Sequence, residues 1–443
     1  MFILPFPSST DPTSLNCRQV TQMDNAPAPL EAFPPEIKLA ILCSLTLNQL
    51  NGLIRASPAF LQQYLADRRY VLISCLRNVL GSVFVDAVAV HRTRSADPNA
   101  DEVLRILDNY RNMRAELVHT RELGEADATN MVKFYTKLVL PVTRKFISWA
   151  ARHAGKKLGI SSFCHPLSIS RTEGTRFLRS LYRYHLCCQL FGHGRFAWMR
   201  RVRRAGNPDP TDILTRFFFL YEPWEVEEVY CVSQFVRAVY RRTYYDFEIA
   251  VKSGNVRIAD EPVPPPIYRL PFPLNIIPKL DILAQSAGLI PLCSIFALDR
   301  DDHGGLLEVV ASMTARIRPE ARAWWSDIGW AHEKDPLKFF RVECKDGRFQ
   351  AELKRIRDAG EPRPFEGDRA AGPPLAWTLM HGSVSSSLYC FLTPELLAWA
   401  CVMWDAERLK ETGAYDTLLK QWRTARSLYN VPLIDVSAFF PSV

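Results

Sequence analysis

Apolar side chains recur along most of the chain at intervals of three and four residues, which is the period of an α-helix with one buried side. Residues 101–117 show this most clearly, with one stripe formed by Leu104, Leu107, Tyr110, Met113 and Leu117. The same spacing marks residues 131–157 and the segments that begin at Ser170 and Pro223. The sequence therefore predicts a mainly α-helical fold, in which an N-terminal three-helix module precedes an irregular all-helical body with long proline-rich loops.

Start signals for short helices crowd the N-terminal region. Pro34–Pro35 can open a first helix, because the first turn of a helix has no use for the amide hydrogen that proline lacks. Thr46 and Gln49 have the spacing of a capping box, in which each side chain binds a backbone N–H near the other residue. Ser57 and the proline after it mark a third start. These signals predict three short helices within residues 31–75.

Helix boundaries in the body are marked in the same way. Ser170–Glu173 has the pattern of a second capping box, and it opens a helix that we expect Gly192 to end. Pro141 is expected to kink or break the helix in which it lies. Toward the C-terminus, Thr393 as cap and Pro394 at the first position predict a helix that runs through Trp404, with Gly413 past its end.

Proline-rich segments divide the chain. Residues 262–278 contain seven prolines, which excludes a regular helix and a central strand. Residues 340–353 fit a hairpin and a helix about equally well. We expect the order to be a flexible tail (1–30), a three-helix module (31–75), a helical domain (76–250), a proline-rich linker or surface loop (251–292) and a C-terminal mainly helical region (293–443).

The composition is that of an ordinary globular protein of 443 residues with a formal net charge of +8. Its eleven cysteines show no paired spacing, which favours a reducing compartment. The N-terminus lacks the basic region of a signal peptide, and polar residues and a proline interrupt the most apolar stretch, residues 282–298. We expect a cytoplasmic and/or nuclear location and no membrane span.

The first predicted helix raises the main question about function. One of its sides carries Ile37, Ile41 and Leu45, and most of the other is covered by Leu39, Leu42 and Cys43. A helix that is apolar on nearly all sides has to be covered on nearly all sides, either by the rest of the chain or by a second protein. The periodicity alone does not distinguish these two cases.

Residues 33–72 resemble the F-box. The resemblance rests on Phe33-Pro34-Pro35-Glu36-Ile37, then on Ile41-Leu42 and Leu45, and then on Leu47, Leu50, Leu53, Ala56-Ser57 and Phe60. Phe33 stands where the family usually has leucine. The order of this motif, a Ser-x-Thr-Glu helix, Pro-Trp-Glu-x-Glu-Glu and a late Val-Met-Trp-Asp is similar to that of a large group of filamentous-fungal F-box proteins.

The resemblance implies a three-helix module that docks on the Skp-type adaptor of a cullin-RING ubiquitin ligase. The chain would recruit an unknown target protein by proximity and perform no bond chemistry itself. The candidates for adaptor contact, or for support of that surface, are Phe33, Pro34, Ile37, Ile41, Leu42, Leu45, Leu50 and Leu53. The alternative is a stand-alone scaffold with a degenerate F-box that packs on its own body.

Positive charge is concentrated in residues 141–204, which contain fourteen basic residues and one acidic residue. Near Trp198, the candidates for binding an acidic partner are Arg200, Arg201, Arg203 and Arg204. Such a cluster suits nucleic-acid phosphates, a nuclear-import address or an acidic or phosphorylated degron, and a solvated turn is the simplest alternative. No recognised nucleic-acid module frames these residues, so a nucleic-acid-binding regulator is a second alternative and not the favoured function.

The sequence contains no specific metal or catalytic motif. Metal-ligand residue types occur at Cys164, His165, His185, Cys187, Cys188 and His193 without a Cys-x-x-Cys pair, and we expect them to be structural. The glycine turns at His303 and His381 lack a nucleophile elbow, a phosphate-binding loop or a dinucleotide fingerprint. We expect no cofactor, no metal and no enzymatic activity, and an enzyme whose catalytic residues are dispersed along the chain is the remaining alternative.

Overall fold

The computed structural model describes residues 30–94, 100–115, 123–159, 168–192, 216–253, 287–299, 365–381 and 399–420, together with the isolated positions 213, 302, 304, 305, 308, 309 and 312. Of these residues 81% are helical and none lies in a strand, which confirms the predicted fold class. Residues 1–29 of the expected flexible tail, the proline-rich segment 262–278 and the segment 340–353 lie outside the described residues.

The chain divides into two compact units, residues 1–75 and residues 76–443. The first unit contains α1 (Pro35–Ser44), α2 (Leu47–Ala56), α3 (Pro58–Ala66) and most of α4 (Arg68–Leu80). The expected division of the body at residues 251–292 stays a prediction.

The short helices of the first unit begin where their caps predict. The Thr46 N–H donates to Gln49 Oε1 at 2.9 Å and the Gln49 N–H donates to Thr46 Oγ1 at 3.4 Å, which confirms the capping box of α2. Ser57 Oγ accepts the Phe60 N–H at 3.3 Å and so caps α3. The side chains buried in the core of this unit include Leu42, Leu47, Leu50, Phe60, Tyr64, Val71, Leu72, Ile73 and Cys75.

The second unit contains the end of α4 and the other described helices. In chain order they are a 3₁₀ turn (Gly81–Val83), α5 (Phe84–Thr93), α6 (Ala100–Ala115), α7 (Glu125–Phe134), a π-helical turn (Tyr135–Val139), α8 (Leu140–Leu158), α9 (Arg171–Phe191), α10 (Pro223–Lys252), α11 (Ile290–Ala297), α12 (Leu375–His381), a second 3₁₀ turn (Cys401–Met403) and α13 (Ala406–Glu411).

Helix α9 is the centre of the second unit. It packs against α5, α8 and α10, and fifteen of its 21 residues are buried. The Glu173 N–H donates to Ser170 Oγ at 3.1 Å and the Ser170 N–H donates to Glu173 Oε2 at 3.1 Å, so the second capping box is confirmed, as is the end of the helix at Gly192. Because α9 is covered on nearly every side, its polar residues are buried together with its apolar ones.

The helix around Pro141 is distorted but does not end there. Helix α7 continues through the π-helical turn into α8, and Pro141 lies in the first turn of α8. Proline lacks a donor for the carbonyl four residues before it, and its ring crowds that carbonyl. The turn before it is widened, since the Leu140 N–H donates to Tyr135 O, five residues back. One widened turn therefore accommodates a proline that would otherwise break the helix.

Residues 399–405 contradict the helix predicted from Pro394 through Trp404. Ala400 has a left-handed φ of 52°, a 3₁₀ turn follows, and Trp404 is extended. All side chains from Trp399 to Trp404 have 0% exposure, and the Trp404 Nε1–H donates to Trp399 O at 3.0 Å. The left-handed Ala400 and the bond between Trp404 and Trp399 fix a compact turn in the core, so tertiary packing overrides helix propensity here.

One helical stretch among the residues that the structure describes, Arg68–Thr93, has the length and apolar character needed to cross a membrane. In the structure, 61% of its most apolar window is buried inside the protein. Core helices of soluble proteins commonly pass the same length and composition test.

Candidate functional site

Exposed apolar side chains are concentrated on the first unit. Nine large hydrophobic side chains are exposed among the described residues, and six of them belong to this unit: Leu30, Phe33, Ile37, Leu61, Leu65 and Tyr70. Phe33 and Ile37 lie four positions apart at the start of α1, and contiguous exposed apolar surface is typical of sites that bind another molecule. The first unit is therefore the place where the described chain offers an interaction surface.

Helix α1 is covered on only one of its apolar sides. Leu42 has 0% exposure and is the one residue of α1 that is fully buried. Ile37 retains 46% exposure, and Ile41 and Leu45, which follow it at intervals of four residues on the same side of the helix, are half-buried. The helix therefore contributes one side to the core of its unit and leaves the Ile37 side partly open.

The eight candidates from the F-box resemblance divide into three groups by exposure. Phe33, Pro34 and Ile37 are exposed at the N-terminal end of α1, whereas Leu42 and Leu50 are buried behind it. The remaining three are half-buried: Ile41, Leu45 and Leu53. The exposed group can contact a partner directly, and the buried pair can act only by supporting the helix.

Backbone and side-chain bonds hold α1 in position. Pro34 O accepts the N–H groups of Ile37 and Lys38, each at 3.1 Å, at the start of the helix. At its end, the Cys75 thiol donates to Leu42 O at 3.2 Å. Burial raises the pKa of this thiol to about 12, so it stays protonated and keeps its donor. The open side of α1 is thus presented by a fixed helix.

The second unit contains a buried ionic network on α9. Arg179 forms a forked pair with Glu228 of α10 and lies 3.3 Å from Glu225. Arg183 lies 3.0 Å from Glu225 and 3.2 Å from Asp86 of α5. All five side chains are buried. Buried ion pairs therefore join three helices. Because these charged groups are no longer hydrated, the stability of each one depends on its oppositely charged partners.

The two glutamates of α10 in this network have opposite pKa shifts. Burial by itself raises the pKa of Glu225, but Arg183, Arg179 and Arg114 outweigh it and hold the pKa well below the usual range. Burial also raises the pKa of Glu228, and there Arg179 does not fully offset it. Glu225 is therefore firmly ionised near neutral pH.

A second group of bonds joins the start of α9 to the C-terminal turn. Arg408 donates from Nε to Glu173 Oε1 at 2.6 Å and from a terminal nitrogen to Glu173 Oε2 at 2.7 Å. Arg176 lies 2.8 Å from Asp405, and the Ser170 hydroxyl also donates to Asp405. These contacts link residues more than 220 positions apart in the chain. These contacts stabilise the packing of α9 against residues 405–408, and we interpret them as structural.

The structure changes the interpretation of the basic region 141–204. Three of its fourteen basic residues, Arg176, Arg179 and Arg183, are buried in ion pairs and do not face solvent. Their acidic partners come from other parts of the chain, so the local excess of charge in the sequence overstates the charge at the surface. The four candidates for an acidic partner, Arg200, Arg201, Arg203 and Arg204, lie outside the described residues.

The candidate metal ligands do not form a site in the described part of the chain. His185, Cys187 and Cys188 are buried on α9, and neither cysteine forms a disulfide. Burial raises the pKa of Cys188 to about 12, which keeps it a protonated thiol. No group of three or more His, Cys, Asp or Glu side chains is arranged for a metal within the described ranges. Cys164, His165, His193 and His303 lie outside those ranges, and of His381 only the backbone, at the end of α12, is described.

Comparison of the chain with models of known protein families, with curated proteins and with solved structures gives no match. The F-box interpretation consequently depends on the sequence motif and on the exposed side of α1.

Proposed function

We propose that this chain is the substrate-recruiting F-box subunit of a cullin-RING ubiquitin ligase. In this proposal the first unit binds a Skp-type adaptor, which connects it to a cullin, and the second unit holds an unknown target protein. The observation that carries the proposal is the exposure of Phe33 and Ile37 at the start of α1, within the stretch that resembles the F-box motif. A helix of this composition needs a cover, and a partner protein supplies one.

The proposed mechanism is proximity. The chain brings the target close to the ubiquitin-transferring subunits, so its own residues provide binding energy and no bond chemistry. Full burial of an aromatic or a branched aliphatic side chain contributes about 1.5–3 kcal/mol. Phe33 and Ile37 are expected to act as the central contacts, since buried apolar anchors carry most of the affinity of an interface.

The half-buried residues have a supporting part in this interface. Ile41, Leu45 and Leu53 would lie at the edge of the contact, where further burial gains less free energy. Leu42 and Leu50 keep α1 and α2 packed and do not contact the partner. Replacement of Leu42 or Leu50 is therefore expected to weaken adaptor binding only indirectly, because it destabilises the packing of α1 and α2 within the first unit.

The test is a pull-down of the purified full chain with the Skp-type adaptor of its own organism. The variant Ile37→Lys places a charge in the proposed interface without touching the core of the unit. Ile249→Lys is the matched control, because Ile249 has 47% exposure on α10 against 46% for Ile37. Circular dichroism melting shows whether each variant is folded.

Capture by the intact chain and by Ile249→Lys, with loss in Ile37→Lys, is the expected result. Failure of the folded, intact chain to capture the adaptor would overturn the proposal and favour a stand-alone scaffold. Equal capture of the adaptor by both variants would show that the adaptor does not contact the Ile37 side of α1.

A further inference from the structure

A cleft of about 310 Å³ lies on the second unit, between α5, α7, the π-helical turn and α9. This volume is at the lower end of the range for small-ligand sites and suits a ligand of one or two side chains in size. The cleft belongs to neither the ionic network nor the proposed adaptor surface.

The floor of the cleft is apolar and aromatic. The Phe134 ring lies 5.2 Å from the His185 ring and 6.0 Å from the Tyr182 ring, centroid to centroid. Val90 and Met131 line the same space and are buried. A flat apolar or aromatic group on a ligand would contact this floor.

Positive charge lies at the rim of the cleft. Arg94 at the end of α5 and Lys133 on α7 both line it, and both side chains are exposed. None of the described residues that line the cleft is an aspartate or a glutamate. An anionic group entering the cleft would therefore meet two cations and no carboxylate in the described part of its walls.

The two histidines of the cleft are oriented by neighbours. His91 Nε2 lies 2.9 Å from Asp127 Oδ1, outside the lining, and the hydrogen bond with His91 lowers the pKa of Asp127. His185 Nδ1 accepts the Leu289 N–H at 3.2 Å, so the neutral ring carries its proton on Nε2. Both rings are thus held in place by residues that lie outside the lining of the cleft.

We propose that this cleft binds an organic anion, in which a carboxylate or phosphate is attached to an apolar or aromatic group. Arg94 and Lys133 would hold the anion, and Phe134 and Met131 would contact its body. Two sources have this chemistry: an acidic or phosphorylated residue beside an apolar one in a protein segment, and a free small acid. The proposal concerns the second unit alone and does not depend on adaptor binding.

The first experiment compares probes of matched shape on the full chain by calorimetric titration. Phenylacetate and phenyl phosphate are the anionic probes, and benzyl alcohol is the neutral one. A short blocked Phe-Glu peptide and its Phe-Gln counterpart test the protein source. In each set the anionic probe is expected to bind at least about tenfold more tightly than the neutral one, because Arg94 and Lys133 can each form a charge-assisted contact with it.

The second experiment uses variants outside the core. Arg94→Gln with Lys133→Gln removes both rim cations, and Lys156→Gln is the control, because Lys156 is an exposed lysine on α8 that does not line the cleft. The double variant is expected to lose about tenfold or more in affinity for the anions, while the control keeps it.

Binding of either kind of anion supports the inferred site. Whichever of phenylacetate and the Phe-Glu peptide binds more tightly shows whether the natural ligand is a free small acid or a protein segment. Equal affinity for neutral and anionic probes would overturn the proposal, as would an unchanged affinity in the double variant. Absence of binding by all the anions at millimolar concentration would also overturn it. The comparison of probes on the unaltered chain stands even where a variant fails to fold.

Discussion

Arg179 and Glu228 face each other where α9 and α10 pack together. Arg179 donates from Nε to Glu228 Oε2 at 2.6 Å and from a terminal nitrogen to the other carboxylate oxygen. Their exposure is 4% and 0%. This forked pair joins the two longest helices that the structure describes, and a charge left alone there has no route to water.

Removing one member of this pair should destabilise the second unit strongly. Arg179→Met leaves Glu228 buried without its main partner, and we expect a loss of about 3–5 kcal/mol in the free energy of unfolding. The double variant Arg179→Met, Glu228→Met should lose less than the sum of the two single variants, since neither charge is left unpaired. All ten tryptophans lie beyond residue 75, so tryptophan fluorescence during urea unfolding reports on this unit.

Arg242→Met is the control for that experiment. Arg242 pairs with Asp246 on the surface of α10, and its side chain is 73% exposed. An exposed pair of this kind contributes about 0.5 kcal/mol or less. A loss of similar size in Arg179→Met would contradict a stabilising role for the buried pair.

The stability of the second unit should depend on pH through Glu225. Its pKa in the folded state is held below the ordinary 4.5, so ionised Glu225 stabilises the fold above that value and the contribution is lost as the pH falls below it. A carboxyl group shifted in this direction contributes on the order of 2–3 kcal/mol. Glu225→Gln should therefore unfold more easily near pH 7 and show a flatter decline in stability as the pH falls below 4.5.

Urea unfolding at several pH values measures this difference. Glu228 is expected to act with the opposite sign, because its raised pKa makes its contribution fall as the pH rises through that value. In the intact chain, Glu228 therefore partly offsets the pH dependence of stability that Glu225 produces. Parallel stability curves for the intact chain and Glu225→Gln would contradict the assignment.

Ser170 should contribute to stability both as a helix cap and as a partner of Asp405. Its Oγ accepts the Glu173 N–H, and its hydroxyl donates to Asp405. We expect Ser170→Ala to lose about 1–2 kcal/mol, the upper part of the range for cap removal. Thr175→Ala is the control, because Thr175 bonds only to Arg171 O within the helix. A similar loss in both variants would show that the cap has no special role.

Leu42 and Ile37 should differ in their effects on the first unit. Leu42→Ala opens a cavity in the core and is expected to cost about 2–5 kcal/mol. Ile37→Ala removes an exposed side chain and should cost about 0.5 kcal/mol or less. Amide hydrogen exchange across residues 35–66 measures the two losses, since this unit contains no tryptophan. Equal loss of protection would mean that Ile37 also belongs to the core.

The local features of this fold could be read from the sequence. Both capping boxes and the cap at Ser57 depend on residues three positions apart, so spacing alone identifies them. The end of α9 at Gly192 is also a local signal. Three short helices within residues 31–75 followed from these signals without any knowledge of tertiary contacts.

Features that depend on distant partners could not be predicted. The arginines of α9 read as part of a basic surface, because the acids that neutralise Arg179 and Arg176 lie 49 and 229 residues away. The turn at residues 399–405 has the apolar spacing of a helix, and that spacing carries no sign of the left-handed Ala400 or of the bond between Trp404 and Trp399. Helix α1 was recognised from its pattern, but the exposure of Ile37 and the burial of Leu42 required the structure.

The measurement that tests the central proposal most directly is a calorimetric titration of the Skp-type adaptor into the full chain and into Ile37→Lys. We expect one adaptor per chain for the intact protein, and at least about a hundredfold weaker affinity for the variant, because a charge is placed in an apolar contact. The same affinity in both proteins, or no heat of binding with the folded intact chain, would contradict it.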